Sequence, residues 1–129
     1  MLSRRDILAA VATLALTAPP VSAAEKAPFT QAAFAEAQAA GAPILVEITA
    51  PWCPTCRAQQ PVLDRLESEP KFKALKVFKV DFDSQKNVVR QFGANSQSTL
   101  IMFKGKQETG RSVGDTGAGS IEALLSSAL

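Results

Sequence analysis

The sequence predicts an α/β fold in which a mixed sheet of about four strands carries helices on both faces. Two observations lead to this prediction: segments of helical composition alternate with short apolar segments, and the last two strand-like segments are separated by a single tight turn. Alternation of this kind gives parallel strands joined by helices, and a hairpin adds an antiparallel edge. Residues 24–129 suffice for one such domain and leave no room for a second.

The first three elements of the domain are a helix, a strand and a second helix. Residues 29–41 (FTQAAFAEAQAAG) are rich in alanine and stop at a glycine, as a helix does. Residues 43–50 (PILVEITA) form an apolar, β-branched run that indicates a strand buried on both faces. Residues 54–70 are helical in composition, and Pro61 inside them should kink the helix.

The second half of the domain contains a strand, a short helix, a hairpin and a last helix. Residues 75–83 alternate apolar and polar residues as a strand does. Residues 84–93 carry an apolar stripe between Ser84, the expected cap, and a terminal glycine, which predicts a helix. Residues 98–114 divide at a Lys-Gly-Lys turn into a β-hairpin, and residues 120–129 form an amphipathic helix.

The first 23 residues have the layout of a signal peptide. Arg4 and Arg5 form a basic start, an apolar run covers residues 7–18, and small residues favour cleavage after Ala23, with Ala24 as the neighbouring choice. The stretch SRRDIL resembles, loosely, a twin-arginine export signal. The alternative is an uncleaved membrane anchor, which is less favoured because the apolar run falls short of the about 20 residues that span a bilayer. The expected location is therefore the periplasm.

Composition excludes several classes of function. The formal net charge is only +2 and the basic residues form no stripe, so the sequence does not indicate a nucleic-acid-binding surface. The chain contains no histidine, which excludes a Ser-His-Asp triad, and its 2 cysteines are too few for a disulfide scaffold. The glycine-rich stretch 114–119 (GDTGAG) does not have the spacing of a dinucleotide-binding loop and indicates an ordinary turn before a helix.

Both cysteines lie in the stretch PWCPTCR, behind the only tryptophan. A bridge across so short a loop adds little stability, so the pair is better explained by chemistry. Cys53 follows the strand at 43–50 and opens the next helix at Pro54, a residue favoured at the first helical position. Free amides and the dipole of a helix start stabilise a thiolate on Cys53, while Cys56 falls on the same side, one turn deeper. This arrangement predicts thiol–disulfide exchange.

The stretch VEITAPWCPTC (46–56) resembles the active-site strand and turn of thioredoxins, which typically read V-D-F-W-A-x-W-C-G-P-C. The similarity covers nearly all of residues 29–129 and includes VFKVDFD (77–83) and STLIMFKGKQ (98–107). The resemblance implies the thioredoxin fold, with a nucleophilic first cysteine, a resolving second cysteine and Trp52 shielding the pair. It implies no cofactor beyond the redox-active disulfide of that pair.

Two charged residues take their expected roles from the same resemblance. Glu47 stands where thioredoxins keep a buried aspartate that relays protons to the resolving cysteine, and Lys79 stands where a lysine lies beside that acid. A carboxylic acid in a low-dielectric site can exchange a proton near neutrality. The alternative is that Glu47 is only an edge carboxylate paired to Lys79.

The sequence departs from the thioredoxin pattern between the cysteines and one strand position earlier. Pro54 and Thr55 replace Gly-Pro in the dipeptide that controls the reduction potential, and Thr55 could donate a hydrogen bond to the Cys53 thiolate. In the absence of histidine we expect an intermediate potential. Thr49 stands where thioredoxins often have a tryptophan, and this replacement should at most loosen the packing.

A second departure concerns the loop that faces the cysteines. Thioredoxins keep a cis-proline before the Thr-Leu of the hairpin strand, whereas this chain has Ser98 before Thr99. A non-proline cis bond costs about 2.5–4 kcal/mol, so we expect a trans bond and a reshaped loop. In thioredoxins that proline docks the substrate backbone and keeps metals from the thiols; Ser98 is either a functional replacement or a tolerated loop residue.

Three functions compete at this stage. The favoured one is an exported thiol–disulfide oxidoreductase, acting as a monomeric reductase on protein thiols or disulfides with a membrane redox partner as its electron source. The alternative is a metal-binding module, in which the two thiolates bind Cu(I) or share an iron–sulfur cluster or zinc across a dimer, because two ligands do not complete a tetrahedral site. The third is a non-catalytic adaptor, which the intact cysteine pair disfavours.

Overall fold

The structure is a computed structural model that describes residues 12–17 and 23–129. Residues 12–17 have no regular secondary structure, and Leu14 and Leu16 are exposed. The elements are, in chain order, β1 (Glu25–Pro28), α1 (Gln31–Ala39), β2 (Pro43–Thr49), α2 (Pro54–Glu67), a 3-10 turn (Pro70–Phe72), β3 (Lys76–Asp81), α3 (Lys86–Gln91), β4 (Thr99–Lys104), β5 (Gln107–Val113) and α4 (Ala118–Ser126). Within the described residues, no helix combines the length and apolar character needed to cross a bilayer.

The five strands form one mixed sheet in the order β1-β3-β2-β4-β5. The pairs β1–β3 and β2–β3 are parallel, whereas β2–β4 and β4–β5 are antiparallel. The predicted mixed sheet with an antiparallel hairpin edge is confirmed, but it has five strands rather than about four. The additional strand is β1, whose sequence EKAP contains two charges and a proline and therefore carries no strand pattern. Proline is tolerated there because β1 is an edge strand that pairs only with β3.

Most predicted elements are confirmed with shifted ends, and one predicted cap is wrong. Thr30 caps α1, since its hydroxyl accepts from the Ala33 amide at 3.2 Å. Ser84 does not cap α3: it lies in the turn that ends β3, where its amide donates to Asp81 Oδ1 at 2.8 Å, and the N-cap position falls on Gln85. The helix consequently starts two residues after Ser84, at Lys86.

The two faces of the sheet bury separate hydrophobic clusters. One face packs against α1 and α3 through a group of five phenylalanines whose ring centroids lie 5.3–6.0 Å apart. These phenylalanines are Phe29, Phe34, Phe78, Phe92 and Phe103. The other face packs against α2 and α4 through leucines, Met102 and Ile121. The sheet therefore holds helices on both faces, and α2 lies on the face that also carries the side chain of Leu45.

The antiparallel pairing of β2 with β4 positions the candidate site. β2 runs directly into the turn that starts α2, and β4 pairs antiparallel to β2 in the register Ile48↔Thr99. The start of β4 thus lies beside the end of β2. As a result the loop before β4, which contains Ser98, meets the first turn of α2.

Candidate active site

The first cysteine is the N-cap of α2. Cys53 has an extended backbone (φ −82°, ψ 114°), its Sγ accepts from the Cys56 amide at 3.2 Å, and Pro54 follows as the first helical residue. This sulfur satisfies one of the amides that a helix start leaves without a partner. The predicted location of Cys53 at a helix start, one turn above Cys56, is confirmed.

Both sulfurs are covered, and a serine hydroxyl lies between them. Cys53 is 6% exposed and Cys56 is 5% exposed, and neither forms a disulfide in this structure. Ser98 Oγ lies 3.0 Å from Cys56 Sγ and 3.4 Å from Cys53 Sγ. No cis peptide bond occurs in residues 12–17 and 23–129, so the bond before Ser98 is trans, as the sequence predicted.

The backbone of Ser98 has a conformation that side chains seldom adopt. Its φ is +58°, in the left-handed region, and within the described chain it is the one residue other than glycine with a positive φ. Two donors hold its carbonyl oxygen: the Gly114 amide at 3.0 Å and Gln59 Nε2 at 3.5 Å. Gln59 Nε2 also donates to the Asp115 carbonyl at 2.7 Å, and the residue is only 4% exposed. Gln59 therefore ties α2 to both loops that surround the thiols.

Gln59 was not singled out by the sequence reasoning. Its only signal is position, because it lies three residues after Cys56 and so shares that face of α2. An amide side chain on a helix usually faces solvent, and its two carbonyl partners are 39 and 56 residues away in sequence. Nothing local in the sequence marks those contacts.

The hydrogen bonds around Cys56 favour its ionised form. Burial raises the pKa of the Cys56 thiol, but hydrogen bonds with Cys53 and Ser98 lower it. Hydrogen bonds with the Ala50 backbone and the Thr49 side chain act in the same direction, so the pKa falls from its usual 9.0 to about 7. The reduced pair can therefore supply a thiolate near neutral pH.

A buried cluster of charges lies on the α2 face of the sheet. Glu47 is 2% exposed on the central strand β2, so the alternative of an edge carboxylate is wrong. Its ion-pair partner is Lys26 on β1, whose Nζ lies 3.2 Å from Oε2 and hydrogen-bonds Oε1 at 3.3 Å. Lys26 also pairs with Glu67 of α2 at 2.9 Å. Lys79 sits opposite Glu47 in the β2–β3 register, as predicted, but the cation bonded to the acid is Lys26.

Glu67 and Lys26 were missed by the sequence reasoning. Burial and the neighbouring Glu47 raise the pKa of the Glu67 carboxyl to about 9, although Lys26 acts in the opposite direction. Lys26 has a raised pKa because Glu47 and Glu67 outweigh the effect of its burial. The Oε2 atom of Glu47 lies close enough to Lys26 Nζ for an ion pair, but it accepts no hydrogen bond. A protonated Glu67 can supply the missing donor, since its side chain is within hydrogen-bonding reach of Glu47.

The remaining predicted residues frame the site. Trp52 is 53% exposed beside the thiols, and its Nε1 donates to Asp83 Oδ2 at 2.6 Å. Thr55 is exposed, and in the described part of the chain the hydroxyl that reaches Cys53 comes from Ser98 instead. Thr99 is buried, and its hydroxyl donates to the Ser96 carbonyl at 2.7 Å, which shapes the loop before β4.

A cleft of about 500 Å³ opens next to the charge cluster, at the carboxyl ends of the parallel strands. Its walls include Lys26, Lys79, Asp81 and Thr49. Lys79 thus faces this cleft together with Lys26. The cleft brings solvent close to Lys26, which bridges the two buried glutamates.

Residues 12–17 and 23–129 contain no group of three or more histidine, cysteine, aspartate or glutamate side chains placed to hold a metal ion. The two thiols alone would leave a tetrahedral site incomplete. The metal-binding alternative therefore gains no support from the structure.

Comparison with known proteins finds similar chains over nearly the whole described domain. The family model described as Thioredoxin matches residues 25–127. A thioredoxin of Chlamydia muridarum (strain MoPn / Nigg) is 38% identical over 93 residues, which are 72% of this chain and 88% of that protein. Thioredoxin 1 of Nostoc sp. is 42% identical over 72 residues, covering 56% of this chain and 66% of its own length. The crystal structure of Trxlp from Edwardsiella tarda EIB202 superposes with a TM-score of 0.77 at 44% identity, covering 78% of this chain and 98% of that one.

Proposed function

This chain belongs to the thioredoxin family, whose members are thiol–disulfide oxidoreductases, and from that premise we propose that it is an exported reductase of disulfides in envelope proteins. The observation that carries the proposal is the pair of free thiols at the start of α2, with a hydroxyl between them. A thiolate at a helix start is the attacking group of thiol–disulfide exchange. The buried second thiol completes the exchange from within the same molecule.

The reducing direction is supported by what the site lacks and by the relatives. The reduced form of the strong oxidants among such proteins is stabilised by about 150 mV relative to thioredoxin, several times what one hydrogen bond of about tenfold effect contributes. This chain has no histidine to provide an imidazolium, and its curated relatives carry the name thioredoxin. Reduction outside the cytoplasm uses up two thiols in each cycle, so a membrane-bound dithiol donor must return two electrons to the pair. We expect the protein to act as a monomer in both half-reactions.

Export is supported by the boundary between the leader and the domain. The family match starts at residue 25, two residues after the predicted cleavage position. The Ala24 amide donates to the Glu67 carbonyl at 2.8 Å, so the first residue after that position is already bonded to α2. Most of the predicted signal peptide, including both arginines, lies outside the described residues.

Insulin reduction tests the activity directly. The chain 24–129, kept reduced by dithiothreitol, should precipitate the insulin B chain faster than dithiothreitol does alone. Cys53→Ser should abolish the acceleration because it removes the attacking thiolate. Cys56→Ser should instead accumulate a Cys53–substrate mixed disulfide, visible by mass spectrometry, because nothing resolves it. Wild-type protein with no effect on insulin would contradict the proposal.

A further inference from the structure

We propose that Ser98 is a catalytic residue, whose hydroxyl donates a hydrogen bond to whichever of the two sulfurs carries the negative charge. The hydroxyl oxygen is in hydrogen-bond reach of both sulfurs, at 3.0 Å from Cys56 and 3.4 Å from Cys53, and the residue is 2% exposed. This inference rests on the thiol–disulfide chemistry of the proposed function. It adds to that chemistry a third participant besides the two cysteines.

The hydrogen-bonding capacity of a hydroxyl fits this position. A serine hydroxyl has one donor and two acceptor lone pairs, so it can donate to a thiolate while it accepts from the S–H of the other cysteine. Both cysteine residues are buried, at 6% and 5% exposed, so little solvent is available to stabilise a charge on either sulfur. Hydrogen bonds to a charged group are stronger than those between neutral groups. Ser98 therefore stabilises the reduced, ionised pair more than it stabilises the neutral dithiol.

The orientation of the hydroxyl depends on the anchored backbone of Ser98. Its left-handed φ of +58° is held because the carbonyl accepts from both Gly114 and Gln59. Gln59 is in turn fixed by its 2.7 Å bond to the Asp115 carbonyl. Gln59 does not touch either sulfur by a hydrogen bond, so we assign it as a positioning residue that acts through Ser98.

The exchange proceeds in two balanced steps. The Cys53 thiolate attacks a substrate disulfide R–S–S–R′, which forms a Cys53–S–S–R bond and releases R′S⁻. The donation from Ser98 then passes to Cys56, whose sulfur attacks Cys53 Sγ, closes the Cys53–Cys56 disulfide and releases RS⁻. Two electrons move from the cysteine pair to the substrate, the proton of Cys56 goes to one released thiolate, and solvent protonates the other. No thiolate remains in the disulfide state, so the hydrogen bond favours the reduced protein.

Titration of the thiolate tests the role of Ser98 without reference to any substrate. Ser98→Ala and Ser98→Gly both remove the hydroxyl, and the glycine variant also relieves the positive φ, which separates loss of the donor from backbone strain. In the reduced variants, the pH midpoint of thiolate absorbance at 240 nm should rise by about one unit. Equilibration with glutathione should shift about tenfold toward the disulfide, equivalent to about 30 mV.

The chain provides a matched control in Ser112. Its hydroxyl is also buried and lies on β5, but it has no hydrogen-bond partner and so bonds neither sulfur. Ser112→Ala should leave the thiolate midpoint and the glutathione equilibrium unchanged. Wild-type midpoints in both Ser98 variants would overturn the assignment of Ser98. A shifted midpoint in protein that does not reduce insulin would support the hydrogen bond and reject the proposed function.

A double-mutant cycle tests the positioning role of Gln59. Gln59→Met keeps the side-chain length but removes the donor, and it should shift the glutathione equilibrium in the same direction as Ser98→Ala. Combined with Ser98→Ala it should add no further shift, because both changes remove the same interaction. Additive shifts would show that Gln59 acts independently of the hydroxyl and would overturn its assignment.

Discussion

The sulfur of Cys56 collects hydrogen bonds from three separate parts of the chain. They come from the end of β2 through Thr49 and Ala50, from Cys53 at the start of α2, and from Ser98 before β4. Each donor offsets part of the cost of burying a charge. A buried thiol with this many partners is ready to ionise, whereas an unpartnered buried thiol is inert. The chemistry of the site is therefore decided by the residues around the cysteines as much as by the pair itself.

Glu47 is the residue whose role is still to be tested at this scale. If Glu47 relays protons to the resolving cysteine, Glu47→Gln should slow reduction of the Cys53–Cys56 disulfide by dithiothreitol at neutral pH. The rate should fall at least about tenfold, a conservative value because general acid–base catalysis typically contributes about 100-fold or more. Stopped-flow fluorescence of Trp52, next to the pair, follows the reaction. Glu67→Gln is the matched control, because glutamine resembles the neutral acid at that position. Equal rates for wild type and Glu47→Gln would assign Glu47 a structural role only.

At the residue scale, the sequence identified the reactive groups but not the residues that hold them in place. The cysteine spacing and the thioredoxin-like stretch identified Cys53, Cys56 and the position of Ser98. The left-handed backbone of Ser98 could not be predicted, since it results from contacts with Gln59 and a glycine 16 residues further along the chain. Hydrogen bonds between distant segments leave no periodicity in the sequence that a local pattern could detect.

At the scale of elements, one lysine joins two strands and a helix. Lys26 of β1 bridges Glu47 of β2 and Glu67 of α2, and its Nζ is also 3.7 Å from Asp64. Two ionised carboxylates and one lysine would leave a net negative charge in a buried site, which is costly. A proton on Glu67 removes that charge and makes Glu67 a possible donor to Glu47. The sequence concealed this cluster because β1 lacks a strand pattern and its partners are 21 and 41 residues away.

The proton on Glu67 predicts how stability depends on pH. The folded-state pKa of about 9 lies above the usual 4.5, so the folded chain binds more protons than the unfolded chain between these values. The free energy of unfolding should therefore fall as pH rises from about 4.5 to about 9. Glu67→Gln should flatten that dependence and unfold at a higher temperature than wild type at pH 9.

Urea or thermal unfolding at pH 5, 7 and 9 measures this effect, with Glu36→Gln as the control. Glu36 is an exposed glutamate on α1, away from the cluster, and its replacement should leave the pH profile of the wild type. The charged groups that face Glu67 are Lys26, Glu47 and, through Lys26, Asp64. A pH profile that is the same in wild type and Glu67→Gln would place the bound proton elsewhere.

At the scale of the whole molecule, the first residues of the domain are hydrogen-bonded to the rest of it. The β1 edge is bonded from Ala24 onward, and residues 12–17 contribute no strand or helix to the sheet. The alternation of helices and strands was enough to predict the mixed sheet because each long element carries its own pattern. The fifth strand escaped prediction because four residues with two charges gain their strand conformation from pairing with β3 rather than from their own propensity.

The proposed export predicts a specific start for the mature chain. Cleavage after Ala23 turns the Ala24 nitrogen, 2.8 Å from the Glu67 carbonyl, into an α-ammonium group that can still donate there, whereas cleavage after Ala24 removes this donor. We therefore expect full-length protein expressed in a Gram-negative host to appear in the periplasmic fraction with an intact mass that begins at Ala24. Replacement of Arg4 and Arg5 by lysine should retain the precursor in the cytoplasm if export uses the twin-arginine route. The purified chain 24–129 should unfold at the temperature of the full-length chain, because among the described residues the core contacts begin at Ala24. Full-length mass in the membrane fraction would establish the uncleaved anchor instead, and the reductase would then work tethered to the bilayer.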